Sequence, residues 1–188
     1  MNGFMEDPKL VWDWYKDRRD TFINATPNRA HYLLAELEKT KSVTIVTQNI
    51  DDLHEKAGST NVLHLHGQGD KAKCTNDACG WHGNYSETYP GTMPKCPWCD
   101  ELARPDVVWF GEMLDTKIVD AAINAFKNAD VCLVIGTSSD VQPAASLPQW
   151  TSMMGRDIIS INKRREDHND YATVKLTGRA SSVLGMIL

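Results

Sequence analysis

A chain of 188 residues, 41% hydrophobic and 24% charged, with a net charge of -5, is long enough to bury one core or one core with a small insert. The acidic balance argues against a phosphate-binding surface spread over the whole protein. No apolar run reaches the ~18 residues of a membrane span. The opening "MNGFMEDPKLVWDWYKDRRD" has no basic region followed by an apolar one, so no secretory signal is read and a reducing cytoplasm is expected.

Pro8 to Asp20 reads as a helix, with Val11, Trp12 and Tyr15 at helical spacing. Thr26-Pro27 signals a second helix start, continued by "NRAHYLLAELEKT". "SVTIVTQN" reads as a buried strand, "DDLHEKAG" as a short helix closed by Gly58, and "NVLHLHG" as another strand. Further on come "DVVWFG" (strand), "DTKIVDAAINAFKNA" (helix), "DVCLVIGTS" (strand), "AASLPQWTSMMG" (helix), "RDIISIN" (strand) and "YATVKL" (strand). Apolar strands alternating with helices predict an α/β fold whose parallel sheet is covered on both faces. Ligands of such sheets sit beyond the carboxyl ends of the strands. The polar clusters "TQNID", "HLHGQ", "WFGE", "GTSSD" and "INKRR" fall there. There is no G-x-G-x-x-G dinucleotide fingerprint; Gly67–Gly69 runs into "DKAKC" instead.

Four of the five cysteines form two close pairs, Cys74/Cys79 and Cys96/Cys99. Two disulfides and scattered free thiols are competing readings. A reducing compartment disfavours disulfides, and the spacing suits convergence on one tetrahedral zinc ion. Four thiolates leave no position for water, so such a zinc is structural. The intervening "GWHGNYSETYPGTMPK" would bury little alone and is expected to depend on the metal. Cys132, in "ADVCLVIGTSS", reads as a small buried strand residue. His64 and His66 alternate and are expected on one strand face, where a structural pair and a metal-binding pair are both open readings. Gln48, Asn49 and Asp51 could simply make the turn after a strand. Tyr15 and Arg18 are expected on one helix face, where a plain solvated surface is the bland reading.

In order along the chain, "TQNIDDLHEKAG", "LHLHG", the two cysteine pairs, "RPDVVWFGE", "VIGTSS", "PAA" and "IN" resemble the sirtuins, the NAD-dependent protein deacylases. The resemblance covers nearly the whole chain. It implies a Rossmann-type domain (1–70 and 105–188) with a small zinc-binding lobe (71–104), one structural zinc per chain, and NAD as the second small molecule. It implies transfer of an acyl group from a lysine of a protein substrate to ADP-ribose, with release of nicotinamide.

Residue by residue, it implies His66 as general base, taking a proton from a ribose hydroxyl, with Asn49 beside it in the catalytic set. Gln48, Asn49, Ile50 and Asp51 would meet nicotinamide and its ribose. Gly136, Thr137 and Ser138 would contact NAD, and Asn162, Lys163, Arg164 and Ala180 would lie near its adenosine end. Val108, Phe110, Gly111 and Glu112 would take the extended substrate peptide as an added strand. Tyr15 and Arg18 match the place where one sirtuin subgroup reads succinyl or malonyl groups. His64 receives no role.

The family's opening strand and "GAGIS…TFR" segment have no counterpart here, Gly69 and Asp70 replace a usual apolar pair, and Gln142 replaces an aromatic. The expectation is therefore an N-terminally truncated deacylase of impaired activity, or else a silent zinc-containing binding domain. A nucleic-acid-binding zinc module fits poorly, because the cysteine segment is not notably basic. Neither nucleic acid nor membrane is expected as a partner, and oligomeric state cannot be read.

Overall fold

The computed structural model describes residues 2–84, 93–167 and 169–188. The elements run α1 (Asn2–Glu6), α2 (Pro8–Asn24), α3 (Arg29–Leu37), β1 (Ile45–Thr47), α4 (Leu53–Ala57), β2 (Val62–His64), β3 (Gly67–Cys74), β4 (His82–Asn84), β5 (Ala103–Val107), α5 (Thr116–Asn128), β6 (Val131–Ile135), α6 (Gln149–Met153), β7 (Asp157–Asn162), β8 (Val174–Thr177) and α7 (Ala180–Ile187). They divide into two compact units. The first holds Met1–Thr26, Thr47–Asp52 and His64–Leu114; the second holds Pro27–Val46, Leu53–Leu63 and Asp115–Leu188. Segment 71–104, which carries the cysteine pairs, lies wholly within the first unit.

The second unit carries the Rossmann-like parallel sheet, in the order β6-β7-β8. Val131–Ile135 pairs in parallel with Asp157–Ile161, and Ile159–Asn162 with Val174–Thr177. Alternation along the strands feeds two cores, as a parallel sheet buried on both faces requires. Cys132, Val134 and Ile158 pack with Phe126 of α5. Leu133, Ile135, Ile159 and Ile161 pack with Ala30 and Leu34 of α3 and with Val183 and Leu184 of α7. The starts of α3 and α5 follow side-chain chemistry. Asn28 caps α3 by accepting from the Ala30 N–H at 2.8 Å, and Asp115 caps α5 by accepting from the Lys117 N–H at 2.8 Å. The expected start at Thr26-Pro27 is thus displaced, because Asn28 supplies the capping oxygen. β1 and β2 form a two-stranded sheet of their own.

The first unit is built on an antiparallel sheet in the order β4-β3-β5. α2 begins at Pro8, where Asp7 accepts from the Leu10 N–H at 2.9 Å. Its Trp12 is fully buried with Phe4, Ala72 and Ala103, and the indole N–H donates to the Ala103 carbonyl at 2.9 Å. Ala72 and Ala103 are small, which lets the sheet close on the indole. Truncating such a residue to alanine costs about 3–5 kcal/mol.

Several expectations need correcting. The strand placed at "DVVWFG" occupies Ala103–Val107 instead, and residues from Val108 onward form a turn. The long helix at "AASLPQWTSMMG" is a 3-10 turn at Ala144–Ser146 followed by α6. His66 lies just past β2 in a tight turn, so it does not alternate with His64 on one strand. β3 enters from that turn at Gly67, whose φ is 77° and whose absent Cβ would stand 2.0 Å from the Asp106 carbonyl oxygen. The centre of the segment between the cysteine pairs, 85–92, lies outside the described residues, and so does its expected dependence on metal.

Candidate functional site

In the first unit, the loop after β1 and the turn after β2 are bonded together. The Leu65 N–H donates to the Thr47 carbonyl at 2.9 Å, and the Gly69 N–H to the Ile50 carbonyl at 2.7 Å. Between these bonds, His66 Nδ1 lies 3.0 Å from the Gln48 carbonyl oxygen. A carbonyl can only accept, so Nδ1 carries the hydrogen and Nε2 of the neutral ring presents its lone pair. That is the tautomer a general base needs. Asn49 is exposed, and its N–H is held by Thr47 Oγ1 at 3.1 Å. His64 is buried, with Nδ1 3.4 Å from the Asn49 carbonyl. It supports the loop from below, a structural role for the histidine that had none assigned. Asp51 sits in the same loop, partly buried.

The turn after β5 joins this group directly, because the Val108 N–H donates to the His66 carbonyl at 2.9 Å. Phe110 and Gly111 stand exposed at its tip. Glu112 does not face outward freely. Its carboxylate takes a two-pronged bond from Arg104, at 2.6 and 2.8 Å, and a third from the Trp109 N–H at 3.1 Å. Burial alone would raise this carboxyl, but the Arg104 hydrogen bonds, the Trp109 N–H and the charges of Arg104 and Lys73 outweigh it and hold the group at about 2. Arg104 was missed in the sequence. Its signal was a basic residue inside a mostly buried strand, eight positions before an acid.

Tyr15 is buried in α2, and its hydroxyl accepts from the Trp109 indole N–H at 2.9 Å. Burial pushes this hydroxyl up, while the indole bond pulls it the other way. Arg18 is exposed, with its guanidinium 3.7 Å above the Trp14 ring. The two residues are therefore not alike: one belongs to the core and the other to the surface.

The four cysteines of the same unit converge, with all sulfurs within 4.8 Å of one another. Cys74 and Cys99 are 3.5 Å apart and Cys79 and Cys96 3.6 Å, far beyond a disulfide bond. Tetrahedral zinc with Zn–S bonds of about 2.3 Å would set sulfurs about 3.8 Å apart, so the cluster fits one ion. The two turns repeat one geometry. The Asn76 N–H points at Cys74 Sγ (3.3 Å) and the Trp98 N–H at Cys96 Sγ (3.4 Å). Such N–H groups favour the thiolate form that a metal requires.

In the second unit, the loops after β6, β7 and β8 gather at the carboxyl ends of the parallel strands, where α/β sheets place their ligands. Asn162 ties them together. Its amide nitrogen donates to the Thr137 carbonyl at 3.1 Å and the Asp167 carbonyl at 2.8 Å, and its own carbonyl accepts from the Gly178 N–H at 2.8 Å. Gly136 turns out of β6 with φ 66°, and the space where a Cβ would stand is open. A left-handed residue beside open space lets backbone N–H groups approach a ligand. Thr137 Oγ1 accepts from the Ser139 N–H at 3.1 Å, closing the turn around Ser138. Arg164 grips Asp167 through two bonds, at 3.0 and 2.8 Å, while Lys163 stays exposed. Ala180 opens α7. Cys132 lies in the core of β6, where burial pushes its thiol up to about 11, so it is an inert packing residue.

Residues 1–143 match the model of the Sir2 family. The chain is 44% identical over 183 residues to NAD-dependent protein deacylase 1 of Archaeoglobus fulgidus, covering 97% of this chain and 74% of that protein. A solved complex of a Sir2 homologue with NAD superposes with a TM-score of 0.89 at 42% identity, covering 99% of this chain and 73% of the other. A Sir2 protein bound to acetylated peptide superposes with a TM-score of 0.89 at 30% identity, covering 99% and 79%. Among the described residues, no helix is long and apolar enough to cross a membrane.

Proposed function

The chain belongs to the Sir2 family, and from that premise we propose that it is an NAD-dependent protein-lysine deacylase. NAD is consumed as a substrate. The acyl oxygen of a modified lysine attacks the anomeric carbon of the nicotinamide ribose as the bond to nicotinamide breaks; a ribose hydroxyl then attacks the acyl carbon, the lysine amine leaves, and water completes the acyl ester of ADP-ribose. The observation that carries this reading is the His66 ring, fixed by the Gln48 carbonyl in the tautomer whose Nε2 can accept a proton. Its task is to take the proton of a ribose hydroxyl as that oxygen turns nucleophile. Gln48, Asn49, Ile50 and Asp51 bind the nicotinamide half. The turn at Gly136, Thr137 and Ser138 binds NAD through its backbone, and Asn162, Lys163, Arg164 and Ala180 lie toward adenosine.

The turn carrying Val108, Phe110 and Gly111 takes the extended substrate peptide by main-chain pairing. A structural zinc is held by Cys74, Cys79, Cys96 and Cys99, where it cross-links two turns and takes no part in acyl transfer. Four free thiols kept for a metal agree with a reducing cytoplasm. The exposed Arg18 guanidinium, steadied on Trp14, favours acidic acyl groups such as succinyl, which a guanidinium fork can hold through a carboxylate.

The test incubates the purified chain with NAD and acetyl- or succinyl-lysine peptides. Release of nicotinamide in step with loss of the acyl group is expected. Absence of both, with the protein folded and the peptide bound, would leave a silent binding domain as the better description.

A further inference from the structure

Arg104 is only 3% exposed. A charge is rarely so deeply placed unless its partners are fixed. Its two terminal nitrogens meet both Glu112 oxygens, and one of them also donates to the Val107 carbonyl at 2.9 Å. The guanidinium lies 3.6 Å from the Trp109 ring centroid. The Trp109 N–H returns to Glu112, and the Glu112 N–H donates to the Trp109 carbonyl at 3.0 Å. Every one of these bonds closes the base of the turn 108–112. Among the described residues, nothing comparable restrains its tip, where Phe110 is 98% exposed.

A buried ion pair is a poor source of stability, because desolvating two charges offsets most of their attraction. What a bidentate guanidinium–carboxylate pair supplies well is geometry. Here that geometry reaches His66 in one step, through the Val108 N–H on the His66 carbonyl.

We propose that Arg104 is a positioning residue: by clamping Glu112 and Val107 it holds the peptide-pairing turn in register with His66, so that a bound peptide presents its acyl-lysine to that ring. Glu112 then belongs to the clamp and does not bind substrate itself. The inference rests on the deacylase reading.

The test uses Arg104→Lys, which keeps the charge without the fork, and Glu112→Gln, which keeps the shape without the charge. Binding of a fluorescent acetyl-lysine peptide is followed by anisotropy, beside steady-state kinetics with peptide and NAD varied separately. Losing one or two main-chain bonds to the peptide should weaken its binding and raise its KM about 10-fold. The KM for NAD should not move, and kcat at saturating peptide should stay within about 3-fold. A role in folding alone would lower the active fraction, reducing kcat with peptide binding and KM unchanged; that result overturns the proposal. So does wild-type peptide affinity in Glu112→Gln, which is isosteric and keeps a readable fold if Arg104→Lys does not. If the parent chain binds peptide but releases no nicotinamide, the deacylase reading falls and the binding arm still decides the clamp. If it binds no acyl-lysine peptide, both fall.

Discussion

At the scale of single residues, the tautomer of His66 is set by a neighbour that cannot donate. The Gln48 carbonyl fixes hydrogen on Nδ1, which leaves Nε2 as the nitrogen for the proposed base. His66→Ala removes that base without opening a core, since the ring is only half-buried in a turn. Turnover should fall about 10²–10⁴-fold, with the melting temperature within about 2 °C of the parent, as a surface substitution allows. Near-full turnover in the variant would mean another group takes the proton. Arg18 offers a separate test. Its guanidinium is exposed and touches the Trp14 ring, so Arg18→Met should leave the fold alone. It should lower kcat/KM for a succinyl-lysine peptide about 10-fold more than for an acetyl-lysine one, because only succinyl brings a carboxylate. Equal losses on the two peptides would assign Arg18 to the surface alone.

At the scale of elements, the turn after β5 stores its order in one carboxylate. Glu112 sits at about 2 in the folded protein against an ordinary 4.5, so the unfolded chain binds the proton first as pH drops. The stabilisation is complete above pH 4.5 and is lost as pH falls toward 2. Denaturant titrations from pH 5 to pH 2.5 should show a shallower acid decline for Glu112→Gln than for the parent. Parallel declines would show that the pair does not contribute. The same turn marks the limit of what the sequence discloses. "DVVWFG" looks like a strand because Val, Val and Trp favour one, yet Arg104 and Glu112 close a turn there, and that pairing depends on a tertiary bond. β3 was hidden for the opposite reason. "GQGDKAKC" is rich in glycine and charge, and only its burial of Gly69, Ala72 and Cys74 along one strand makes it sheet. α7 was hidden by its glycine and by the absence of a side-chain cap at Arg179. By contrast, α5 and the strands β6 and β7 were legible, because apolar periodicity and an aspartate cap are local facts. The cysteine pairs, the "TQNID" loop and His66 were legible as motifs, while the Arg104–Glu112 pair was not.

At the scale of the molecule, the two units differ in what holds them. The second has a parallel sheet with a core on each face. The first has, among the described residues, a small antiparallel sheet, a core cluster around Trp12 and four convergent thiols. With that modest apolar burial among the described residues, the unit gains more from a cross-link, which a metal held by the four thiols would give between the turn after β3 and the turn before β5. The tryptophans make this measurable. Trp12, Trp14, Trp81, Trp98 and Trp109 lie in the first unit, and Trp150 alone lies in the second. Purified protein should carry about one zinc per chain. Stripping it with a strong chelator, or replacing Cys96 with Ser, should shift tryptophan emission to the red as the Trp12 core loosens. Most of the far-ultraviolet circular dichroism should survive, because the parallel sheet and helices α3, α5 and α7 contain no ligand. Re-adding zinc to the chelated protein should restore the emission, while magnesium should not, since thiolates prefer the softer ion. A folded protein free of zinc, with unshifted emission, would show that the four thiols pack without a metal.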